Sequence, residues 1–201
     1  DTVKPLFDST ELIYSLPEHD IEMAFLATDF TQVNFELNQK MISLALSLLE
    51  LDKNDKVIDL FCGLGNFSLP IARYAKSVVG IEGDKGLIDR AIENAQRNGV
   101  VNASFYKADL FEDIRGFEWF RGKRYNKALI DPARSGAIEF VGLMPEMGVE
   151  RVVYVSCNPA TLARDTVKLV GLGYALEQAG VMDMFPQTAH VESIALFVKT
   201  N

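Results

Sequence analysis

The chain has 201 residues, of which 48% are hydrophobic, and this is enough for one well-packed globular domain. Its 28 acidic and 20 basic residues give a net charge of −8, which counts against strong unaided binding to a phosphate backbone. No apolar run is long enough to span a bilayer, so we expect no membrane partner. Two cysteines without an apolar leader favour a reducing cytoplasm over a disulfide framework.

The amino-terminal region has a weaker pattern than the rest of the chain. Residues 1–28 alternate loosely between apolar and polar side chains around Pro17, which predicts a β-hairpin or its remnant. Because the chain begins with Asp1 rather than methionine, we expect this β-rich extension to be the tail of a missing upstream domain. A helix is then predicted from Asn34 to Glu50, where apolar side chains recur on one face at helical spacing.

Strand-like and helix-like runs alternate after this helix. Strands are predicted at Lys56–Leu60, Ser77–Ile81, Ala103–Tyr106, Lys127–Ile130 and Arg151–Val155, and helices at Asn66–Tyr74, Lys85–Arg97 and Pro159–Val170. Such alternation builds a parallel sheet with helices on both faces. The last two strand-like runs, Tyr174–Val181 and Val191–Lys199, should pair antiparallel because no helix pattern separates them. The prediction is an α/β, Rossmann-like, mostly parallel seven-stranded sheet with a C-terminal antiparallel hairpin, the layout of class I S-adenosylmethionine-dependent methyltransferases.

A glycine turn follows the first strand of the predicted sheet. Gly63 and Gly65 allow a tight turn and close approach of a ligand to the backbone. A dinucleotide fingerprint would carry a third glycine or alanine where this chain has Ser68, so a pyrophosphate site is less favoured. Glu82 lies 17 residues after Gly65, at the end of the next strand, and is placed to accept hydrogen bonds from ribose hydroxyls.

Two further carboxylates follow later strands. Asp109 comes just after the third strand and Asp131 just after the fourth, so successive strands deliver acids to the edge where open α/β sheets bind ligands. Each glycine or acid taken singly is more often a turn residue, a solvated loop end or a helix cap. Their joint placement favours a cofactor site, and a cationic sulfonium would suit it.

The two cysteines have different surroundings. Cys62 lies inside the glycine turn, and we expect it to pack there as a small hydrophobic side chain. Cys157 lies in a polar strand-to-helix turn that Asn158 and Pro159 shape at the same edge as the carboxylates. Exposed amides at the start of that helix should favour its thiolate, which makes Cys157 the candidate nucleophile.

Other polar residues admit two interpretations. His190 is as readily a loop histidine as a functional one, and Glu192, just before the last strand, is either a surface carboxylate or part of the site. The basic cluster Arg121–Arg124 is most simply a solvated turn, with a phosphate contact as the alternative.

Five ordered motifs carry a resemblance to a known family. They are Phe30-Thr31-Gln32-Val33-Asn34, Asp59 to Phe67, Asp131-Pro132-Ala133-Arg134, Ser156 to Asp165, and His190-Val191-Glu192-Ser193. From about Phe30 to its end the chain resembles the catalytic domain of the RNA (uracil-5-)-methyltransferases, so residues 29–201 would be that domain. The form of the third and fourth motifs is most similar to the bacterial 23S ribosomal RNA members.

The resemblance implies roles at matching positions. Cys157 would be the nucleophile that adds to C6 of a uridine, and Glu192 would be the general base. No metal site is implied in this chain, because the iron-sulfur cluster of the ribosomal RNA enzymes belongs to the upstream part. We expect a monomer whose partner is an RNA substrate. The members that the chain most resembles imply that this RNA is 23S ribosomal RNA. The residues implied to line the S-adenosyl-L-methionine site are Gln32, Phe61, Asn66, Glu82, Asp109 and Asp131, beside the turn glycines Gly63 and Gly65.

Three alternatives stay open. The substrate could be transfer RNA, although those enzymes more often carry Asp-Pro-Pro-Arg in the third motif. An RNA cytosine-5 methyltransferase also attacks C6 with cysteine, but it usually shows Pro-Cys or Thr-Cys-Ser rather than Ser156-Cys157-Asn158. The last alternative is a noncatalytic module that binds cofactor or assists RNA assembly. The presence of Cys157 and Glu192 argues against such a module.

Overall fold

The structure is a computed structural model, and it describes residues 11–121, 125–188 and 190–200. An antiparallel hairpin of β1 (Leu12–Leu16) and β2 (Ile21–Phe25) comes first. A seven-stranded sheet follows, made of β3 (Lys56–Leu60), β4 (Ser77–Glu82), β5 (Ala103–Lys107), β6 (Lys127–Ile130), β7 (Arg151–Ser156), β8 (Tyr174–Met182) and β9 (Glu192–Lys199).

Helices connect the strands of the sheet. They are α1 (Phe35–Leu49), α2 (Ser68–Tyr74), α3 (Lys85–Arg97), α4 (Ile138–Val141), α5 (Met144–Met147) and α6 (Pro159–Gly171). The three long helices each begin at a side-chain cap. Asn34 accepts from Leu37 N at 3.2 Å, and Asp84 and Asn158 cap α3 and α6 in the same way.

The strand order is β5-β4-β3-β6-β7-β9-β8, and among these described strands β9 runs in the direction opposite to the other six. From β3 the chain first moves outward to β4 and β5 and then returns to β6 on the other side. The carboxyl ends of β3 and β6 therefore form the topological switch point, where open α/β sheets bind ligands. This arrangement confirms the predicted fold class.

Two hydrophobic clusters hold the sheet, and neighbouring residues of the central strand β3 belong to different clusters. Val57 packs with residues of the β1–β2 hairpin, α1, α2 and α3, whereas Ile58 packs with residues of α4, α5 and α6. Since successive side chains of a strand point to opposite faces, the central strand is buried on both sides. This explains why three of the five residues of β3 are apolar, and it makes its buried Asp59 an exception.

The amino-terminal hairpin packs into the same core as the sheet. Leu16, Ile21 and Met23 are buried in the cluster that contains α1. Asn94 of α3 accepts a hydrogen bond from Ala24 N at 2.8 Å and donates one to Ala24 O at 3.1 Å. The hairpin predicted within residues 1–28 is therefore present, while residues 1–10 lie outside the described residues, and the domain boundary at residue 28 stays a prediction.

Several boundaries differ from the predicted ones. The helix after the glycine turn begins at Ser68 rather than Asn66, since positive φ angles at Gly63 and Gly65 keep the preceding segment out of helical geometry. The short helices α4 and α5 were not predicted. Most of the basic cluster, residues 122–124, lies outside the described residues, and Arg121 is exposed. No helix in the described part of the chain is long and apolar enough to cross a membrane.

Candidate active site

A cavity of about 440 Å³ opens at the switch point, where the loops after β3, β6 and β7 meet. Eight of the ten predicted site residues line it, and with them the structure adds Tyr14, Phe30, Thr31 and Arg134. The eight are Gln32, Phe61, Gly63, Asn66, Glu82, Asp131, Cys157 and Glu192.

The loop after β3 forms one wall through an unusual backbone. Phe61 has a φ of +63°, a left-handed conformation that bulky side chains rarely adopt. Gly63 follows with a φ of +54°, and a Cβ built there would meet nothing within 4 Å. Gly65 has a φ of +98°, and a Cβ there would lie 3.3 Å from Cγ of Leu69. The loop therefore presents bare backbone at Gly63, whereas Gly65 allows close packing against α2.

Glu82, the last residue of β4, is held by the backbone around it. Its Oε2 accepts from Gly63 N at 3.2 Å, and its Oε1 accepts from Gly83 N at 2.7 Å and Asp84 N at 3.0 Å. These bonds tie the end of β4 to the glycine loop of β3 and fix the carboxylate at the cavity wall. Oε2, which accepts a single bond, keeps a lone pair for a ligand hydroxyl.

The register of β7 and β9 brings the two predicted catalytic residues together. Ser156 pairs with Ser193 across the antiparallel strands. Cys157 follows the first and Glu192 precedes the second, so the two side chains lie at opposing positions at the same end of the pair. Cys157 is half-buried and Glu192 is buried, and both line the cavity.

A local hydrogen-bond system shapes the turn that carries Cys157. Ser156 Oγ accepts from Asn158 N at 3.1 Å, and Asn158 Oδ1 accepts from Ala160 N at 3.1 Å as the helix cap. Asn158 Nδ2 also donates to Arg134 O at 3.0 Å. The Cys157 turn is thereby attached to the loop that follows β6.

The predicted preference of Cys157 for the thiolate form is wrong for this structure. Burial raises the pKa of the Cys157 thiol, and the nearby charges of Glu192 and Asp131 raise it further. A hydrogen bond from the turn's own backbone and the charge of Arg134 lower the pKa, but these contributions are smaller. The amides at the helix start were expected to lower the pKa of Cys157, but desolvation and the carboxylates have a larger effect in the opposite direction.

The floor of the cavity is rich in carboxyl groups. Burial, together with the charges of Glu192 and Asp59, raises the pKa of Asp131 to about 8. Burial also raises the pKa of Glu192. Beneath them Asp59 is fully buried, with Oδ2 bonded to Ser68 Oγ at 2.5 Å and Oδ1 without a partner among the described residues. A cation bound here would restore the ionised forms, because opposite charge favours them.

Gly65 and Asp109 are the two predicted site residues that do not line the cavity. Asp109 is exposed in the loop after β5, and its Oδ1 accepts from Phe111 N at 2.9 Å in a local turn, which is the solvated loop end that the alternative interpretation described. For Gly65 the structure shows a packing reason, and for Asp109 the cofactor role stays a prediction from its position after a strand and from the resemblance.

Cys62 and His190, which were not predicted as site residues, differ in burial. Cys62 is buried, and burial together with the charges of Asp59 and Glu82 raises its pKa well above the ordinary value, so its expected packing role is confirmed. His190 is exposed, and its ring lies 3.1 Å from Arg134 Nη2. In the described part of the chain, no group of three or more His, Cys, Asp or Glu side chains could hold a metal ion.

Sequence reasoning missed some of the cavity wall. Thr31 and Arg134 belong to the same motifs as Gln32 and Asp131, so membership in those motifs was a usable signal. Tyr14 carried no such signal, because it lies on the hairpin 52 residues before its partner Asn66.

Comparison with known proteins places this geometry in a family. The family model described as tRNA (Uracil-5-)-methyltransferase matches residues 7–200. Among curated relatives, 23S rRNA (uracil(1939)-C(5))-methyltransferase RlmD of Vesicomyosocius okutanii is 69% identical over 199 residues, covering 99% of this chain and 45% of the relative. The protein of the same name from Alcanivorax borkumensis is 54% identical, covering 94% of this chain and 42% of the relative. This chain thus spans less than half the length of these relatives.

Solved structures agree with the sequence comparison. The tRNA (uracil-54, C5)-methyltransferase of Pyrococcus abyssi, in complex with S-adenosyl-L-homocysteine, aligns with a TM-score of 0.79 and 27% identity over 96% of this chain and 45% of that one. TYW2 of M. jannaschii, in complex with AdoMet, shares the fold with a TM-score of 0.68 at 20% identity, over 98% of this chain and 90% of that one. With the family model covering nearly the whole sequence, the chain belongs to the tRNA (uracil-5-)-methyltransferase family.

Proposed function

We propose that the chain transfers a methyl group from S-adenosyl-L-methionine to C5 of a uridine in RNA, through a covalent bond between Cys157 and C6. The observation that carries this proposal is the cavity that Cys157 and Glu192 share with the glycine loop and with Glu82. A nucleophile, a base and a cofactor cradle are the parts that this reaction needs in one place.

The residues of the cavity fit a cationic, nucleoside-containing cofactor. Glu82 would accept the ribose hydroxyls, and the bare backbone at Gly63 leaves room for close approach. Gln32 has a buried Oε1 without a partner among the described residues, which is a free acceptor for an ammonium or amino group. Asp131 and Glu192 would face the positive charge. When bound, S-adenosyl-L-methionine supplies the methyl group.

Cys157 would act first on the base. Because the pKa of Cys157 is raised, the side chain is mainly a thiol at neutral pH, and it gives its proton to solvent in the open cavity before it attacks. The sulfur then forms a bond to C6, and the electron pair of the C5–C6 double bond moves towards C5 and the O4 carbonyl. C5 becomes nucleophilic enough to accept a methyl group, so one difficult step is divided into two.

Glu192 would complete the reaction. After methylation C5 carries both a methyl group and a proton, and the Glu192 carboxylate, opposite Cys157 across the strand pair, removes that proton. The electron pair of the C5–H bond re-forms the C5–C6 double bond and expels the Cys157 sulfur. A base stacked inside a helix presents neither face to such groups, so the uridine has to be turned out of its stack.

We propose 23S ribosomal RNA as the substrate. The curated relatives named for 23S rRNA are 54–69% identical to this chain, while the tRNA enzyme of P. abyssi is 27% identical. Asp131-Pro132-Ala133-Arg134 and the long motif at Cys157 support the same choice. A noncatalytic module is disfavoured because it would have no use for a cysteine and a glutamate that line one cavity from opposing strand positions.

The test uses RNA that contains 5-fluorouridine, incubated with the chain and S-adenosyl-L-methionine. Fluorine cannot leave C5 as a cation, so elimination stops and the adduct accumulates. We expect mass analysis of digested protein to find the nucleotide on the peptide that contains Cys157. Cys157→Ala should abolish the adduct and the turnover.

Controls separate the alternatives. The same RNA with 5-fluorocytidine in place of 5-fluorouridine should give no adduct, and a cytidine adduct would favour the cytosine-5 alternative. Ribosomal RNA fragments should be modified in preference to transfer RNA. If the chain binds S-adenosyl-L-homocysteine but forms no adduct with any RNA, the catalytic proposal is wrong and the module alternative gains.

A further inference from the structure

A three-residue hydrogen-bond network connects the amino-terminal hairpin to the glycine loop. Tyr14 Oη donates to Asn66 Oδ1 at 2.9 Å. Asn38 Nδ2 donates to the same oxygen at 3.1 Å, and Asn66 Nδ2 donates back to Asn38 Oδ1 at 2.9 Å. Asn38 and Tyr14 are both buried, so these bonds form away from bulk water. Three elements distant in sequence, β1, α1 and the loop after β3, thus meet at the Asn66 amide.

The amide pair by itself has no preferred orientation. Two side-chain amides that bond reciprocally remain equally paired when both are turned over, because each offers one oxygen and one N–H to the other. The hydroxyl of Tyr14 removes this symmetry. A buried phenol O–H needs an acceptor, and Asn66 Oδ1 is the acceptor that the described residues provide.

Tyr14 is well suited to this task. Its ring is fixed by Phe25, at a centroid distance of 5.9 Å, and by Phe35 at 5.5 Å. Burial raises the pKa of its hydroxyl above the ordinary value, so the group stays protonated and remains a donor. Tyr14 also lines the cavity, which places the network in the wall that the cofactor would touch.

The orientation of Asn66 has a consequence inside the cavity. With Oδ1 held by Tyr14 and Asn38, and one N–H of Nδ2 bonded to Asn38, the second N–H has no protein partner in the described part of the chain. Asn66 lines the cavity, so this N–H is a donor available to a ligand acceptor there. If the amide turned over, it would present an oxygen instead.

We propose that Tyr14 is a positioning residue of the cofactor site, which acts by orienting the Asn66 amide so that its free N–H meets an acceptor atom of the cofactor. The inference rests on the proposed function, because it takes the cavity to be the S-adenosyl-L-methionine site. It also gives the amino-terminal hairpin a part in binding, although the glycine motif itself begins 45 residues after Tyr14, at Asp59.

The experiment measures the Kd of S-adenosyl-L-homocysteine by titration calorimetry on the full chain, without RNA. Tyr14→Phe removes one hydroxyl and leaves the ring in place. A net hydrogen bond is worth about 0.5–1.5 kcal/mol, so we expect the Kd to rise by about two- to twelvefold. Tyr74→Phe is the matched control, since its hydroxyl lies 3.2 Å from His19 Nδ1, at the turn of the hairpin and away from the cavity.

A double variant distinguishes positioning from a purely structural role. Asn66→Ala should weaken binding on its own, and Tyr14→Phe added to it should change the Kd by less than about twofold, because Tyr14 then has nothing to orient. Thermal melting of each apo variant checks that the chain folds. Where Asn66→Ala does not fold, Asn66→Asp, which keeps the side-chain shape, takes its place in the cycle.

The outcomes separate this inference from the proposed function. If the wild-type chain binds S-adenosyl-L-homocysteine and Tyr14→Phe binds it equally well, the inference is overturned and the proposed function stands. The inference is also overturned if the rises in Kd of the two single variants multiply in the double variant, because Tyr14 would then act independently of Asn66. If the wild-type chain does not bind S-adenosyl-L-homocysteine at all, both fail together. A raised Kd in Tyr14→Phe, normal binding in Tyr74→Phe and no further loss in the double variant support it.

Discussion

A thiol responds to every charge within a few ångströms, whichever element supplies it. At Cys157 the neighbours in sequence, Asn158 and Pro159, lie at a helix start that favours the thiolate. The carboxylates of Glu192 and Asp131 come from other strands and favour the thiol. Local sequence therefore predicted a thiolate at Cys157 where its surroundings favour the thiol, because the opposing charges lie 35 and 26 residues away in the chain.

Replacing Glu192 by Gln should make Cys157 easier to ionise in the apo chain. The thiol titrates in an alkaline range where Glu192 is ionised, so Glu192→Gln removes a negative charge that opposes the thiolate. We expect the pH midpoint of Cys157 alkylation by iodoacetamide to move to lower pH. Peptide mass analysis after alkylation at a series of pH values measures this midpoint.

Two controls accompany the alkylation measurement. Glu139→Gln makes the same change at an exposed position of α4 and should leave the midpoint unchanged. Cys62, which is buried, should react far more slowly than Cys157 in every variant. An unchanged or higher midpoint in Glu192→Gln would show that the carboxylate does not control the thiol.

At the scale of elements, the loop after β6 is attached to α6 by one buried carboxylate. Asp165 Oδ2 accepts from Ala137 N at 2.7 Å and from Tyr154 Oη at 2.7 Å, while Oδ1 accepts from Arg164 Nε at 2.8 Å. Gly136 adjoins this cluster with a φ of +76°, and a Cβ there would lie 2.7 Å from Asp165 Oδ2. The carboxylate thus holds the Asp131–Arg134 loop close to the helix that begins after Cys157.

Asp165→Asn should destabilise the chain by about 2–3 kcal/mol. The amide oxygen can keep the two bonds of Oδ2, but the amide NH2 then faces Arg164, so the ion pair of Oδ1 with Arg164 is lost. The two bonds that remain are no longer made to a charged group. Urea unfolding followed by circular dichroism measures the free energy of unfolding.

The exposed carboxyl of Glu139 again serves as the control for Asp165. Glu139→Gln should change the free energy of unfolding by no more than about 0.5 kcal/mol. A loss below about 0.5 kcal/mol for Asp165→Asn would mean that the loop does not depend on this carboxylate.

Elements with strong local signals were predictable, and short ones were not. For α1 and α6 the apolar spacing and the caps Asn34 and Asn158 fix the helix within a residue or so. The helices α4 and α5 have four residues each, which is too short for a periodic pattern to show. They depend on packing against the sheet, through buried side chains such as Phe140 and Met144.

At the scale of the whole molecule, the order of strands explains why most of the site was foreseeable. The carboxyl ends of parallel strands meet at one edge of the sheet, and this does not depend on side-chain packing. Glu82, Asp131 and Cys157 share a cavity for this reason. Contacts between side chains from different layers of the fold cannot be predicted from strand order in this way. The bond of Tyr14 to Asn66 depends on how the hairpin packs against α1, and the spacing of residues does not encode that.

The interior acids also make global stability depend on pH. The pKa of Asp59 is raised to about 7 by burial, with a smaller contribution from the charge of Glu82, against an ordinary value of 3.8. The native state therefore holds this proton at pH values where the unfolded chain has lost it. The stability that Asp59 contributes is complete below about pH 4 and is lost as pH rises through about 7.

Asp59→Asn should remove this pH dependence and stabilise the chain at pH 8. The shift from 3.8 to about 7 bounds the gain at about 4 kcal/mol, and the free energy of unfolding in urea at pH 5 and pH 8 measures it. Asp55→Asn is the contrasting variant. Burial opposes ionisation of Asp55, but its hydrogen bonds, chiefly with Lys127, lower its pKa, so this variant should lose more stability at pH 8 than at pH 4. If Asp59→Asn and the wild-type chain lost stability equally between pH 5 and pH 8, Asp59 would not be the group that titrates.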